Sequence, residues 1–167
     1  MEPNMDETKK ILVALAFSEY AQGIFGYAAT LAKRLDAELI VTSIINVRDV
    51  QAVGTISSMG YEVDSDQYVA KIRNERQSQL EKFKNEYSFP ADKIKTVIRV
   101  GDPVDELLKT AVKENVDMIL MGIKGRTNLE YMFVGSVAEK MFRRSPVTIV
   151  SYRDDKNAER LRKRIHP

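Results

Sequence analysis

The residues whose types and spacing suit a chemical site are the glycines of "MGIKGRTNLEYMFVGSVAEK", residues 121–140. Gly122 and Gly125 enclose two residues, nine more follow, and Gly135 is trailed at once by Ser136. A glycine at Gly122, where an apolar run ends, lets a ligand approach the backbone closely, and Gly125 permits a tight turn. Gly135 and Ser136 fall where a helical pattern begins. The first amide N–H groups of a helix have no partner within it, and the helix dipole favours an anion there. Lys124 and Arg126 add positive charge between the two halves. The chemistry this suits is the holding of a phosphate, as in a nucleotide. A purely local reading competes with it, because Ser136-Val137-Ala138-Glu139 fits the S-x-x-E capping box. On spacing alone the two readings stay level, and Ser136 has the groups to serve both.

Other constellations are missing from the 167 residues. There is no GxxxxGK[ST] loop, no GxGxxG after the first strand and no GxSxG elbow. No cysteine is present, and the one histidine, His166, is the penultimate residue, which argues against a Ser–His–Asp triad and against thiolate chemistry. The acidic residues are scattered over helix starts and polar faces, so a metal site built from protein ligands is not expected. With 26 basic and 24 acidic residues the net charge is +2, which gives no drive toward nucleic acid or an anionic membrane. No apolar run is long enough to span a bilayer. The polar start "MEPNMDETKK" does not read as a secretory signal, so a cytoplasmic protein is expected.

The elements that must position the glycines alternate regularly. "ILVALAF" (11–17) and "ELIVTSIINV" (38–47) read as buried strands, "KIKTVIRV" (93–100) and "VDMILMG" (116–122) as the third and fourth, and "PVTIVSY" (146–152) as the last. Between the first two, Ile24, Ala28, Leu31, Ala32 and Leu35 recur at helical spacing, with Ser18 placed to cap the helix and Asp36 to close it. Residues 48–66 carry two glycines, several serines and little periodicity, and are expected to form a long loop serving as lid or reporter. Val69, Ile72, Arg76, Leu80, Phe83 and Tyr87 define a helix over 67–87, with Arg76 expected to snorkel at the edge of the stripe. Asp102 caps a helix opened by Pro103, and a helix over 136–144 follows the glycines. Four strand–helix–strand steps imply a doubly wound α/β domain with a mostly parallel sheet and helices on both faces. Ligands in such sheets sit beyond the carboxyl ends of the strands where the strand order reverses. The expected organisation is a disordered 1–8, one domain over 9–152 and a charged tail over 153–167, whose basic residues read as a solvated face.

Over almost all of 9–152 the chain resembles the universal stress protein family. The resemblance is carried by "KKILVAL", "LAKRLDAELIV", "GDPVDELLKTA" and "MGIKGRTNLEYMFVGSVAEKMFRRSPVTIV", the last holding the G-x2-G-x9-G-[ST] signature of the ATP-binding branch. It implies a five-stranded parallel sheet of order 3-2-1-4-5 and a nucleotide across the first and fourth strand ends. Gly122 would lie by the ribose, and Gly125, Arg126, Gly135, Ser136 and Val137 would hold the phosphates. Adenine would pack around Ile44 and Ile45, with Ala14 and Leu15 lining the first strand. The implied ligand is ATP, or AMP or ADP, with Mg2+ held through the phosphates. The resemblance also implies a homodimer through the last strand (147–151) and a protein partner whose identity it leaves open. One departure stands out. The family's first strand commonly ends in an Asp that helps fix the nucleotide, and here that position is Ala16. Three readings follow: a nucleotide-binding regulatory protein, a slow ATPase or phosphotransferase, and a stress-interaction module that binds no nucleotide.

Overall fold

The computed structural model describes residues 8–123 and 136–165. Five strands form one sheet, β1 (Lys10–Ala14), β2 (Glu38–Asn46), β3 (Ile94–Gly101), β4 (Met118–Gly122) and β5 (Thr148–Tyr152). Every pairing is parallel and the order is β3-β2-β1-β4-β5. The six α-helices among the described residues are α1 (Ala21–Leu35), α2 (Val47–Ser58), α3 (Ser65–Glu86), α4 (Pro103–Lys113), α5 (Ser136–Arg144) and α6 (Asp155–Arg162).

Alternation along β1 divides the core in two. Ile11 and Val13 pack with Phe25 and Ala28 of α1 and Leu80 of α3, while Leu12 packs on the other face with Val104 and Leu107 of α4 and Met141 of α5. Both faces of the sheet are thus covered, which is why its central strands read as unbroken apolar runs. Strand order reverses at β1, whose neighbours are β2 on one side and β4 on the other. The carboxyl ends of β1 and β4 therefore flank the crevice where a doubly wound sheet takes its ligand.

Several sequence expectations are corrected. Residues 48–66 are not a long loop: α2 occupies Val47–Ser58 and α3 already begins at Ser65. The Asn46 side chain caps α2 by accepting from the Arg48 N–H at 3.0 Å. No α2 residue is buried, so the helix leaves no apolar stripe in the sequence to betray it. Ser18 is not the N-cap of α1. That place belongs to Tyr20, because the chain turns at Phe17 with φ 51° and Ser18 supplies its carbonyl to the Ala21 N–H at 3.0 Å instead. The same turn ends β1 at Ala14 rather than at residue 17. Apart from these corrections, Thr8 is 7% exposed, and α6 occupies Asp155–Arg162 within the charged tail.

The surface carries a readable pH response. Glu106 accepts from Lys109 Nζ at 2.8 Å and from Arg99 Nη1 at 3.4 Å. The Lys109 hydrogen bond first, and then the nearby cationic charges, hold its carboxyl below the ordinary value of 4.5. A depressed carboxylate contributes stability above its unfolded value and loses it as pH falls through the folded one. Lys109 is solvent-exposed and Arg99 partly so, and the contribution is at most about 1 kcal/mol. Glu106→Gln is expected to lower stability by that amount at neutral pH and by less at pH 3, because the contribution fades as pH falls through the depressed folded value. Urea unfolding at the two pH values checks this, and an equal loss at both would contradict it.

Candidate functional site

A cleft of about 290 Å³ opens at the carboxyl ends of β1, β2 and β4. That is at the lower end of the range for small-molecule pockets, roughly 300–1,000 Å³. Thr42, Ala14 and Met121, partners in register across the three strands, form its floor. The parallel register sets these three side by side, so the cleft runs across the sheet and not along a strand. Pro103 and Leu107 of α4 wall one side, and Ser136, Val137 and Ala138 of α5 close the β4 end.

Six of the residues singled out from the sequence meet here: Ala14, Leu15, Ile44, Gly122, Ser136 and Val137 all line the cleft. Ile45 does not. Successive strand residues face opposite ways, and Ile45 is 1% exposed within the core. Gly125, Arg126 and Gly135 lie outside the described residues. Ser136 is the first residue of α5 and is exposed. Glu139, fourth in the capping-box reading, holds Arg143 at 3.0 Å.

The structure adds polar residues that sequence reasoning missed. Arg76 lines the cleft and is 4% exposed, so it lies inside the protein and does not snorkel at its edge. Its Nη1 donates to Ser43 Oγ at 2.8 Å, and Ser43 donates in turn to the Leu15 carbonyl at 2.8 Å. The guanidinium also sits 5.9 Å from the centroid of the Phe17 ring, which stacks on Phe83 at 6.3 Å. The signal was visible as a cation inside an otherwise apolar helical stripe. Asn46 and Asp49, at the start of α2, line the same end. Ala16 lines the cleft as well, so the position without its carboxylate does face the crevice.

The arrangement has a definite polarity. At the β4 end α5 begins, with the anion preference of any helix start. At the β2 end stand the Asp49 carboxylate and the Arg76 guanidinium. Between them the floor is mainly aliphatic, suited to a flat apolar group. Among the described residues no cluster of acidic residues or histidines could hold a metal ion by itself, and no helix is long and apolar enough to cross a membrane.

Comparison with known proteins agrees with this architecture. The model of the universal stress protein family matches residues 7–153. The chain is 30% identical over 152 residues to the universal stress protein MJ0577 of Methanocaldococcus jannaschii, covering 85% of this chain and 94% of that one. It is 32% identical over 147 residues to the universal stress protein YxiE of Bacillus subtilis, covering 84% and 97%. The solved structure of MJ0577 superposes with a TM-score of 0.72 at 28% identity, over 89% of this chain and 98% of that one. A universal stress protein solved in complex with cAMP shares the fold, with a TM-score of 0.60 at 19% identity over 87% and 96%.

Proposed function

The chain belongs to the universal stress protein family, and from that premise we propose that it binds an adenosine phosphate in the β1–β2–β4 cleft and acts as a dimeric regulatory protein of the cytoplasm. The observation that carries this reading is convergence. Residues as far apart in sequence as Ala14, Ile44, Gly122 and Ser136 line one crevice at the point where strand order reverses. A family member in complex with cAMP supports a ligand of this class.

The residues fit such a group. Ala14, Ile44 and Met121 offer aliphatic surface to a base, and Gly122 leaves room for a sugar against the backbone. Ser136 and Val137 open the helix that faces the phosphates, with Gly125, Arg126 and Gly135 completing the glycine signature in sequence. ATP is the ligand proposed first, with AMP and ADP as alternates, and Mg2+ would be carried by the phosphates. The dimer is proposed through residues 147–151. Among the described residues strand β5 is an edge of the sheet, the kind of edge that invites pairing with another chain.

Isothermal calorimetry on nucleotide-stripped protein tests the reading. ATP with Mg2+ is expected to bind, and at a hundredfold excess over Kd to stabilise the fold by about 2.7 kcal/mol. That raises Tm by roughly 5–11 °C for a domain of this size. No heat and no thermal shift with ATP, ADP or AMP at millimolar concentration would leave the ligand-free interaction module as the better description. Light scattering on the same sample reads the oligomer, and a monomer would remove the dimer from the proposal.

A further inference from the structure

Helix α2 buries none of its residues, and the corner that joins it to α3 holds its apolar side chains out to solvent. Ile56 and Met59, one turn apart on the helix, are 45% and 70% exposed, and Tyr61 and Val63 beyond it are 67% and 40% exposed. The corner is ordered by its own backbone. The Met59 N–H donates to the Ile56 carbonyl at 3.1 Å and the Gly60 N–H to the Ser57 carbonyl at 3.0 Å. Gly60 takes φ 91°, which glycine adopts without strain. Asp64 then caps α3 by accepting from the Asp66 and Gln67 N–H groups at 2.7 and 2.9 Å. Several large apolar side chains exposed in one short stretch, among polar neighbours, are the mark of a docking surface.

Charge decides what would cover it. Between Arg48 and Lys71 the chain holds Asp49, Glu62, Asp64 and Asp66 and no lysine or arginine, and Glu62 and Asp66 are exposed. The corner therefore favours a cationic occupant with an aliphatic anchor. A segment of that kind stands at the end of α6. Arg162, Lys163 and Arg164 are exposed, and Ile165 follows them at 71% exposure. The backbone keeps turning past the helix, with the Arg164 and Ile165 N–H groups donating to the Leu161 and Arg162 carbonyls at 3.0 and 3.1 Å. Lys163 holds Glu159 at 2.9 Å, which gives the larger share of any outward contact to Arg162 and Arg164.

We propose that the α2–α3 corner of one copy takes the basic end of α6 from a second copy, with Ile165 set against Met59 and Tyr61, and Arg162 and Arg164 beside Glu62 and Asp66. Within one copy the two patches do not cover each other, since Met59 and Ile165 are 70% and 71% exposed. They follow β2 and β5, and β1 and β4 lie between those strands. The patches differ, so each copy carries one of each, and the contact is heterologous and able to repeat from copy to copy. A segment this short buries less than a standard interface, and exposed ion pairs contribute little. The contact is therefore weak and salt-sensitive, with Kd on the order of 0.1–1 mM. It is independent both of the nucleotide cleft and of strand pairing at β5.

Analytical ultracentrifugation of the full chain tests this. At low salt the average mass is expected to rise with protein concentration, and about 0.5 M salt is expected to weaken that rise at least about fivefold. Two charge-reversed variants, Glu62→Lys with Asp66→Lys and Arg162→Glu with Arg164→Glu, are each expected to lose the rise. An equimolar mixture of the two is expected to regain it, because each corner then meets a tail of opposite charge. Ile165→Ser and Tyr61→Ser leave the net charge unchanged and are each expected to weaken association at least about threefold. All these positions are exposed, and an unchanged Tm establishes that each variant folds. A mass independent of concentration at low salt overturns the proposal and leaves the corner to another occupant. Failure of the mixture to recover also overturns it. Recovery with no effect of Ile165→Ser or Tyr61→Ser overturns it in favour of general attraction between charged copies. A dimer that persists at high salt and in every variant belongs to the strand edge, so an association of that kind alone overturns the corner contact while leaving the β5 dimer standing.

Discussion

Phe25→Ala is expected to destabilise the protein by about 3–5 kcal/mol, the range for deleting a buried aromatic side chain. Phe25 lies on the inner face of α1 with 0% exposure. Its ring meets Phe83 at 5.7 Å and Tyr87 at 5.9 Å between centroids. It therefore joins α1 to α3, and both to the face of the sheet formed by Ile11 and Val13. Truncation leaves a void bounded by two aromatic rings and a β-sheet, and the sheet cannot collapse into it. For a domain of this length the fall in Tm is roughly 6–20 °C. Denaturant unfolding monitored by circular dichroism measures it. A loss under about 1 kcal/mol would mean that α1 and α3 are not held through this ring.

Arg76→Ala is expected to cost about 2–4 kcal/mol and to weaken ligand binding as well. Three things are lost together: the hydrogen bond to Ser43, the cover over the Phe17 ring, and the volume of a long buried side chain. Through Ser43 the guanidinium supports the Leu15 carbonyl, just before the turn at Phe17, where φ is 51°. A bulky residue in the left-handed region is held there only by its surroundings. Loosening that support moves the β1 end of the cleft. Arg76→Lys is expected to recover little, since an ammonium lacks the planar fork that both stacks on a ring and donates sideways. Urea unfolding and nucleotide titration of both variants supply the measurements. Wild-type stability in Arg76→Ala, or full recovery in Arg76→Lys, would show that the guanidinium plays no such part.

Much of the fold was legible because burial writes a period into the sequence. The run at 11–17 read as a strand covered on both faces and 116–122 as the fourth strand, and β1 and β4 lie there, with Ile11, Leu12, Val13, Ile119 and Leu120 all at 0% exposure. Asp102 followed by Pro103 marked the start of α4, and the Asp102 carboxylate does accept from the Val104 and Asp105 N–H groups at 3.0 and 3.1 Å. The helix over 136–144 matches α5. Helix α2 was misread because it buries nothing. Its stability comes from the Asn46 cap and from lying along α3, where Ser65 donates to the Val50 carbonyl at 3.4 Å. Neither contact leaves a periodic trace.

The sequence by itself determined the layering and, through the family resemblance, the strand order, and its glycine spacing underlies the proposal of an anion site between β4 and α5. These depend on local pattern and on apolar residues repeating with the period of their element. Only the tertiary structure decided what stands at the opposite end of the cleft. Asp49, Arg76 and Ser43 come from α2, α3 and β2, and no spacing in the chain relates them to Gly122. Ile45 and Ile44, adjacent in sequence, were separated by the pleat, one into the core and one onto the cleft. Polar groups brought together from distant elements obey no period, so their meeting is a property of the packed fold alone.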